Sequence, residues 1–206
     1  MQNLVITISR QVGSGGRLVG EKLALGLGIP FYDRKIIEMV AEKSGFTKEF
    51  IESSEERASS SFLFNLASTI YSANGQFTSV EVPINNQVFF AQAEVIRELA
   101  SKGSCVIVGR CSDYLLREHP NTVNVFIYAD QEDRKKRLVE VYHNDPKTID
   151  TYITKLDKGR ANYYSHFTGE DWDDFKRHDL CINSTLCGID GAVEVIRSYL
   201  KAAGKL

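Results

Sequence analysis

The sequence lacks an excess of charge of one sign. Its 25 lysines and arginines stand against 27 aspartates and glutamates, which gives a formal net charge of −2. A protein that attracts nucleic acid or an anionic membrane over its whole surface has a strongly basic balance, so we expect neither partner. The sequence also has no run of about 18 apolar residues and no signal-peptide pattern, from which we expect a cytoplasmic protein.

Cysteine and proline are scarce as well. The four cysteines (Cys105, Cys111, Cys181 and Cys187) follow no zinc-ligand spacing, and we expect reduced, mostly buried thiols. The four prolines form no linker, and no repeat or low-complexity tract interrupts the chain. With 206 residues, 43% of them hydrophobic, the sequence predicts a single α/β domain over residues 1–206.

Glycine, in contrast, is concentrated at one informative place. An apolar run over residues 4–8 predicts a buried strand, which is followed by Gly13, Ser14, Gly15 and Gly16 and by a helical pattern from Arg17. A strand, a glycine loop and a helix form a cradle for phosphate, because backbone N–H groups point inward and the helix N-terminus adds positive charge. An arginine in the first turn can fork onto phosphate oxygens.

The loop departs from the standard phosphate loop, G-x-x-x-x-G-K-[ST]. When Arg17 is aligned with the lysine, Leu18 stands at the hydroxyl residue, and no alignment supplies both side chains. A tight strand-to-helix turn that needs glycine for positive φ stays open as the alternative. The position at the first strand–helix junction favours phosphate binding.

Two later strand ends carry charged residues. Asp33 follows a short second strand, where it either caps the next helix or contacts a ligand. Arg110 comes directly after Gly109 at the end of a buried apolar strand. A buried guanidinium needs an anionic partner, which is either Asp33 in a permanent pair or the phosphate of an acceptor.

Strands near residues 123–128 and 180–183 alternate with helices, so we expect a five-stranded parallel sheet with helices on both faces. Asp130 is predicted to cap the next helix. Most of the basic cluster on that helix (Arg134, Lys135, Lys136 and Arg137) is expected to form a solvated face, and Arg134, nearest the strand end, is the candidate to face the cleft. Residues 45–84 are expected to form a helical or loop insert on the acceptor side. Residues 150–170, with Gly159 as candidate hinge, are either a lid that closes over phosphates or a surface helix with salt bridges.

These pieces together resemble the cytidylate kinase-like family of nucleoside monophosphate kinases over nearly the whole chain. The resemblance implies a P-loop kinase fold with an acceptor-side insert and a lid. It is carried by six segments: Ile8-Ser-Arg-Gln, Gly13-Ser-Gly-Gly-Arg17, Phe31-Tyr-Asp33, Val106-Ile-Val-Gly-Arg110, Asp157-Lys-Gly-Arg160 and Asp179-Leu-Cys-Ile-Asn-Ser184.

The resemblance also implies roles for individual residues. The loop from Gly13 to Arg17 matches the one that holds the donor phosphates, and Asp33 matches an aspartate beside the acceptor. Arg110 matches the arginine of a Gly-Arg-Asp motif that contacts the bound monophosphate, although Cys111 replaces the aspartate of that motif. Asp157 and Arg160 match an Asp-x-x-Arg pattern of the lid, which contacts the sugar and phosphate of the acceptor.

The expected function is therefore phosphoryl transfer from ATP, with its Mg²⁺, to a nucleoside monophosphate. CMP or dCMP is the first acceptor to test, and Arg17 and Arg160 are the expected catalytic residues. Arginines suit this chemistry because phosphoryl transfer depends mainly on positioning and charge neutralisation. The altered loop keeps a nucleotide-binding module without turnover open, and a P-loop kinase for another small acceptor is the third hypothesis.

Overall fold

A computed structural model describes residues 3–60 and 84–206, except for the side chains of residues 55–60 and 84–85. Strands and helices alternate along most of the chain. In order they are β1 (Val5–Arg10), α1 (Gly16–Leu27), β2 (Phe31–Tyr32), α2 (Lys35–Ser44), α3 (Lys48–Ser60), α4 (Ile84–Lys102), β3 (Cys105–Val108), α5 (Ser112–Leu115), β4 (Thr122–Tyr128), α6 (Gln131–Glu140), α7 (Ile149–Thr168), a 3₁₀ turn (Phe175–Arg177), β5 (Leu180–Asn183) and α8 (Ser184–Ala202).

The five strands form one parallel sheet in the order β2-β3-β1-β4-β5. The strand before the glycine loop, β1, is central, and Ile6 lies opposite Val106 of β3 and Val123 of β4. All five carboxyl ends therefore meet at one edge of the sheet, where open α/β proteins bind ligands. The predicted five-stranded parallel sheet is confirmed.

Alternate residues of the central strands pack into separate cores on the two faces of the sheet. Ile6 and Ile8 pack with Leu23 of α1 and Ile196 of α8 in one core. Val5 and Ile107 belong to the other core, with residues of α2, α3, α4 and α7. Both faces of the central strands are thus covered by helices, which explains why these strands read as continuous apolar runs.

Neither predicted helix cap makes the side-chain hydrogen bond of a cap, although Asp130 does occupy the N-cap position of α6. The N-cap position of α2 is occupied by Arg34, and no side chain caps that helix. The carboxylate of Asp33, the predicted cap, accepts a hydrogen bond from Arg17 Nε at 2.9 Å instead. Asp130 does precede α6, but its carboxylate accepts from Asn183 Nδ2 at 3.3 Å and from no N–H of the helix. In both cases a donor from a distant element replaces the local backbone N–H.

The predicted insert and lid are described only in part. Helix α3 lies within the predicted insert of 45–84, whereas residues 61–83 are outside the described residues. The predicted lid coincides with α7, a continuous 20-residue helix that passes through Gly159 without a break. Among the described helices, none combines the length and the apolar character needed to cross a bilayer.

All four cysteines are free thiols, but they are not all buried. Cys105 and Cys111 are buried, whereas Cys187 is half-buried and Cys181 is exposed. Cys181 lies on β5, an edge strand, where Ile182 faces the core and its neighbours alternate outward. The expectation of a buried thiol is therefore wrong for Cys181.

Candidate active site

A cleft of about 810 Å³ opens at the carboxyl ends of β1, β2 and β3. It brings together most of the residues that the sequence singled out. Those that line it are Gly13, Gly15, Gly16, Arg17, Asp33, Arg110 and Arg160. Ser14 and Asp157 do not line it. The Ser14 carbonyl accepts a hydrogen bond from Ser184, and the Asp157 carboxylate accepts one from the N–H of Val12 in the loop.

The glycines of the loop are required by its backbone. Gly13 and Gly15 have φ values of 76° and 83°, a region that side chains disfavour. A Cβ at Gly13 would stand 2.7 Å from the carbonyl oxygen of Arg134, and a Cβ at Gly15 would overlap Cδ1 of Ile189. The tight-turn interpretation is thus correct as far as it goes, and it is compatible with phosphate binding.

The N-terminus of α1 faces the cleft. The first N–H groups of any helix have no partner within the helix, and no side chain caps α1. Gly15, Gly16 and Arg17, which carry these N–H groups, all line the cleft. An anion bound here would accept hydrogen bonds from the backbone and would lie at the positive end of the helix dipole.

The carbonyl groups before α1 are held by side chains. Five consecutive carbonyls, from Arg10 to Ser14, each accept such a bond. The donors are Arg160 Nη1 to Arg10 (2.9 Å), Ser14 Oγ to Gln11 (2.8 Å), Arg134 Nε to Val12 (2.7 Å), Arg137 Nη1 to Gly13, and Ser184 Oγ to Ser14 (2.6 Å).

Asp33 joins two of the predicted arginines. Its Oδ2 accepts from Arg17 Nε at 2.9 Å, and its Oδ1 lies 3.7 Å from Arg110 Nη1. Arg110 Nη1 donates to the backbone carbonyl of Asp33 at 3.1 Å. The side chains of Arg110 and Asp33 are only 10% and 11% exposed, so this is a shielded contact. Asp33 is thus a partner of Arg110 in the ligand-free protein, and the binding of an acceptor phosphate by Arg110 stays a prediction.

The backbone beside Arg110 is in an unusual conformation. Gly109, Arg110 and Cys111 have φ values of 74°, 57° and 54° in succession. For residues with a side chain this left-handed region costs roughly 1–2 kcal/mol each. Such strain persists where the surroundings impose it and is frequent at ligand sites. The sequence predicted the turn at Gly109 but not the two residues that continue it.

Arg160 lies in the wall of the cleft, on α7. Its guanidinium is 4.0 Å from Asp157 Oδ1. Burial lowers the pKa of Arg160, and the nearby carboxylates of Asp157 and Asp33 oppose that effect. Asp157 itself accepts from the Val12 N–H at 2.8 Å and from Arg134. Asp157 is therefore in contact with the loop and with α6. The contact between Asp157 and the acceptor, which the resemblance implies, stays a prediction.

Arg134 does not face the cleft, so that prediction is wrong. It is 7% exposed and its guanidinium points to Val12 and Asp157 behind the loop. Arg137 lies one turn further along the same face of α6, since residues three apart are neighbours on a helix. That spacing was readable from the sequence, but the partners of the two arginines were not.

Two further arginines line the cleft and were missed. Arg10 ends β1, and its guanidinium packs against Gly109; Arg34 follows β2. Both could have been found by the strand-end argument that identified Arg110. Among the described residues, the lining of the cleft thus contains five arginines and two carboxylates, Asp33 and Glu52.

The described residues do not fit a resident metal ion. No group of three or more His, Cys, Asp and Glu side chains within residues 3–60 and 84–206 could hold a metal. Leu18 stands where a hydroxyl ligand would follow the loop, and Asp33 is bound to Arg17. Any Mg²⁺ in this cleft would depend mainly on ligands that come with the nucleotide.

Solved structures share this fold. A protein of Eubacterium ventriosum described as uncharacterized has 28% identity and a TM-score of 0.71, with 96% of this chain and 98% of that chain covered. Shikimate kinase from Bacteroides thetaiotaomicron has 15% identity and a TM-score of 0.52, over 96% and 98% of the chains. Shikimate kinase from Acinetobacter baumannii, solved with shikimate, has 16% identity and a TM-score of 0.53, over 98% and 95%.

At these identities the shikimate kinases establish the P-loop kinase fold alone. A search of the curated proteins finds no match. The model of the cytidylate kinase-like family matches residues 5–186. A kinase-like family and P-loop kinase neighbours support a phosphotransferase. Since the match spans most of its length, this chain belongs to the cytidylate kinase-like family.

Proposed function

We propose that this protein transfers the γ-phosphoryl group of ATP to a nucleoside monophosphate, with CMP or dCMP as the first acceptor to test. The observation that carries the proposal is the charge of the cleft, where, among the described residues, five arginines stand against two carboxylates beside the glycine loop. Phosphoryl transfer brings several negative phosphates together, and its catalysis is mostly positioning and charge neutralisation. Planar guanidinium groups match phosphate oxygens in pairs.

On the donor side, the loop from Gly13 to Gly16 and the N-terminus of α1 bind the phosphates of ATP. The carbonyls held by side chains and the cleft-facing glycines support this assignment. Arg17, in the first turn, takes the place of the usual lysine. ATP enters with Mg²⁺ held by phosphate oxygens and water, and we assign that ion no ligand from the chain.

On the acceptor side, Arg110 binds the monophosphate, and Asp33 fixes Arg110 and Arg17 relative to each other. An oxygen of the acceptor phosphate attacks the γ-phosphorus in line. The new O–P bond forms as the bond to the β–γ bridging oxygen breaks, and ADP leaves with that oxygen. Arg17 and Arg160 stabilise the charge on the transferring group.

The aromatic lining of the cleft supports a nucleotide acceptor. Aromatic side chains bind nucleobases of any sequence by stacking. Within the described part of the chain, five line the cleft: Tyr142, Tyr152, Tyr163, Tyr164 and Trp172.

The choice of base is the open part of the proposal, because Cys111 replaces the aspartate of the Gly-Arg-Asp motif. Asp113, two residues later, is buried and accepts a hydrogen bond from the Tyr164 hydroxyl at 2.8 Å. Burial, together with Asp113, raises the pKa of Tyr164. Asp113 is therefore bound to the protein and does not replace the missing carboxylate.

A phosphotransfer screen tests the proposal. ADP release is measured with every nucleoside monophosphate, and ATP binding is measured by calorimetry on the same preparation. We expect turnover with at least one pyrimidine monophosphate and a loss of at least about a hundredfold in kcat for Arg160→Ala. Arg117→Ala, which removes an exposed arginine that stacks on Tyr114, is the matched control and should change kcat little.

Two other results would overturn the proposal. ATP binding without turnover on any acceptor would identify a nucleotide-binding module, a function favoured by the absence of the loop lysine and hydroxyl. Turnover with a small acceptor that is not a nucleotide would identify a different P-loop kinase.

A further inference from the structure

Both backbone groups of Val12, the residue before the first loop glycine, are held by one ion pair. The N–H of Val12 donates to Asp157 Oδ1 at 2.8 Å, and its carbonyl accepts from Arg134 Nε at 2.7 Å. Arg134 Nη2 donates in turn to Asp157 Oδ2. The three hydrogen bonds close a ring that joins the loop, α6 and α7; we name it the Val12 ring.

The Val12 ring is shielded from water. The side chains of Arg134 and Asp157 are 9% and 20% exposed. The Val12 side chain is buried with Leu138 of α6 and Ile153 of α7. A shielded ion pair is screened little by salt, and the loss of one partner leaves the other charge uncompensated. The ring therefore holds Val12 more firmly than a surface salt bridge would.

The Val12 ring determines the orientation of the next peptide groups. A peptide unit is planar and trans, so the N–H of Gly13 points opposite to the carbonyl of Val12. Arg134 holds that carbonyl on the outer side of the loop, and Gly13 lines the cleft. The same reasoning applies at Ser14, whose carbonyl accepts from Ser184 while Gly15 lines the cleft. Side chains behind the loop thus turn the N–H groups of Gly13 and Gly15 toward the cleft, whereas the N–H of Ser14 donates to the Gln11 carbonyl at 3.3 Å.

We infer that Arg134 and Asp157 are positioning residues of the donor site, which hold the loop in the conformation that binds the phosphates of ATP without touching ATP themselves. The inference rests on the proposed function. It gives Asp157 a donor-side role, whereas the resemblance places the same residue at the sugar and phosphate of the acceptor. Because the two roles affect different substrates, one variant distinguishes them.

A second ion pair supplies the matched control. Lys135 Nζ lies 2.7 Å from Asp150 Oδ1 and also joins α6 to α7. Its Asp150 side chain is 62% exposed and its Lys135 side chain 24%, and the hydrogen bonds of the loop described above include neither residue. Asp150→Asn therefore removes a carboxylate that links the same two helices and leaves the Val12 ring intact.

The experiment compares Asp157→Asn with Asp150→Asn by calorimetry with Mg·ATP and by steady-state kinetics. Asparagine is nearly isosteric and keeps an oxygen for the Val12 N–H, but it loses the charge that binds Arg134. We expect Asp157→Asn to raise the Kd and KM for ATP at least about tenfold and the KM of the acceptor less than about twofold. Asp150→Asn should change both values less than about twofold.

Arg134→Lys gives an independent test if Asp157→Asn does not fold. A lysine ammonium does not reproduce the fork that reaches Val12 and Asp157 together, so ATP binding should weaken again. In the ligand-free protein, amide exchange over residues 11–16 should be faster in either ring variant than in Asp150→Asn.

Unchanged ATP affinity in a folded ring variant would overturn the inference, as would a loss confined to the acceptor. Failure of the wild-type chain to bind ATP would instead overturn the proposed function on which the inference rests.

Discussion

The substitution Arg110→Lys separates a binding role for this residue from a structural one. Lysine keeps the positive charge but replaces the planar fork with a single ammonium group. If Arg110 binds the phosphate of the acceptor, the variant should bind the acceptor less tightly and ATP almost as well as the wild type. If Arg110 and Asp33 form a permanent structural pair, the variant should mainly lose thermal stability.

The contacts of Arg110 set the size of the effect. Its guanidinium donates to the Asp33 carbonyl at 3.1 Å but lies 3.7 Å from the carboxylate, beyond hydrogen-bond length. A guanidinium fork that turns to a bound phosphate gives it two charge-assisted hydrogen bonds, and a lysine in its place gives one. Each is worth about 1.5–3 kcal/mol, so the acceptor affinity should fall at least about tenfold.

The assay is calorimetric titration with the acceptor and, separately, with ATP, together with thermal unfolding of the same samples. Arg117→Lys is the control, because Arg117 is an exposed arginine outside the cleft that stacks on Tyr114 at 4.2 Å. Acceptor affinity within about twofold of the wild type, combined with a fall in Tm of several degrees, would refute the binding role.

Three further predictions concern the loop, α7 and the thiols. Gly15→Ala should weaken ATP binding and lower the Tm, because φ is 83° and the new Cβ would overlap Cδ1 of Ile189. The control Gly28→Ala, at φ 65° in open space, should lower the Tm alone. Equal ATP affinities of the two variants would contradict this prediction. Hydrogen exchange over residues 150–170 should slow when ATP and acceptor are both bound, and equal protection in both states would count against a lid. At pH 8 an alkylating reagent should label exposed Cys181 well before buried Cys105. Burial raises the pKa of Cys105 to about 11, so about a thousandth of this thiol is ionised at that pH. Mass spectrometry of the labelled peptides gives the order of labelling, and labelling of Cys105 first would contradict the prediction.

The sequence predicted those parts of the molecule that depend on local patterns and on parallel-sheet geometry. The runs around Ile6 and Val106 are buried on both faces and therefore read as strands, and the glycine loop follows from the φ values it requires. The sequence also identified Asp33 as one possible partner of Arg110. The two residues follow neighbouring strands, β2 and β3, whose carboxyl ends meet at one edge of the sheet.

Contacts between distant helices could not be predicted in this way. Asp33 and Asp130 both have the residue type of a helix cap, and Asp130 also has the position, but an arginine and an asparagine from other elements bind them instead. Charged or amide donors that approach in the folded state compete with a local N–H, and no local pattern reveals them. The Val12 ring has the same origin, because Arg134 and Asp157 lie on different helices.

The missing loop lysine is weaker evidence against turnover once the contacts of Arg17 are considered. Lysine offers one compact ammonium, so a carboxylate that bound it would compete directly with phosphate. Arginine has two usable edges: Asp33 accepts from Nε at 2.9 Å, and the edge formed by Nη1 and Nη2 can bind a second anion. The side chain of Arg17 is 47% exposed and lines the cleft, so an incoming phosphate can reach it. Asp33 therefore orients Arg17 as well as neutralising it, which supports the proposed role of Arg17 in place of the loop lysine.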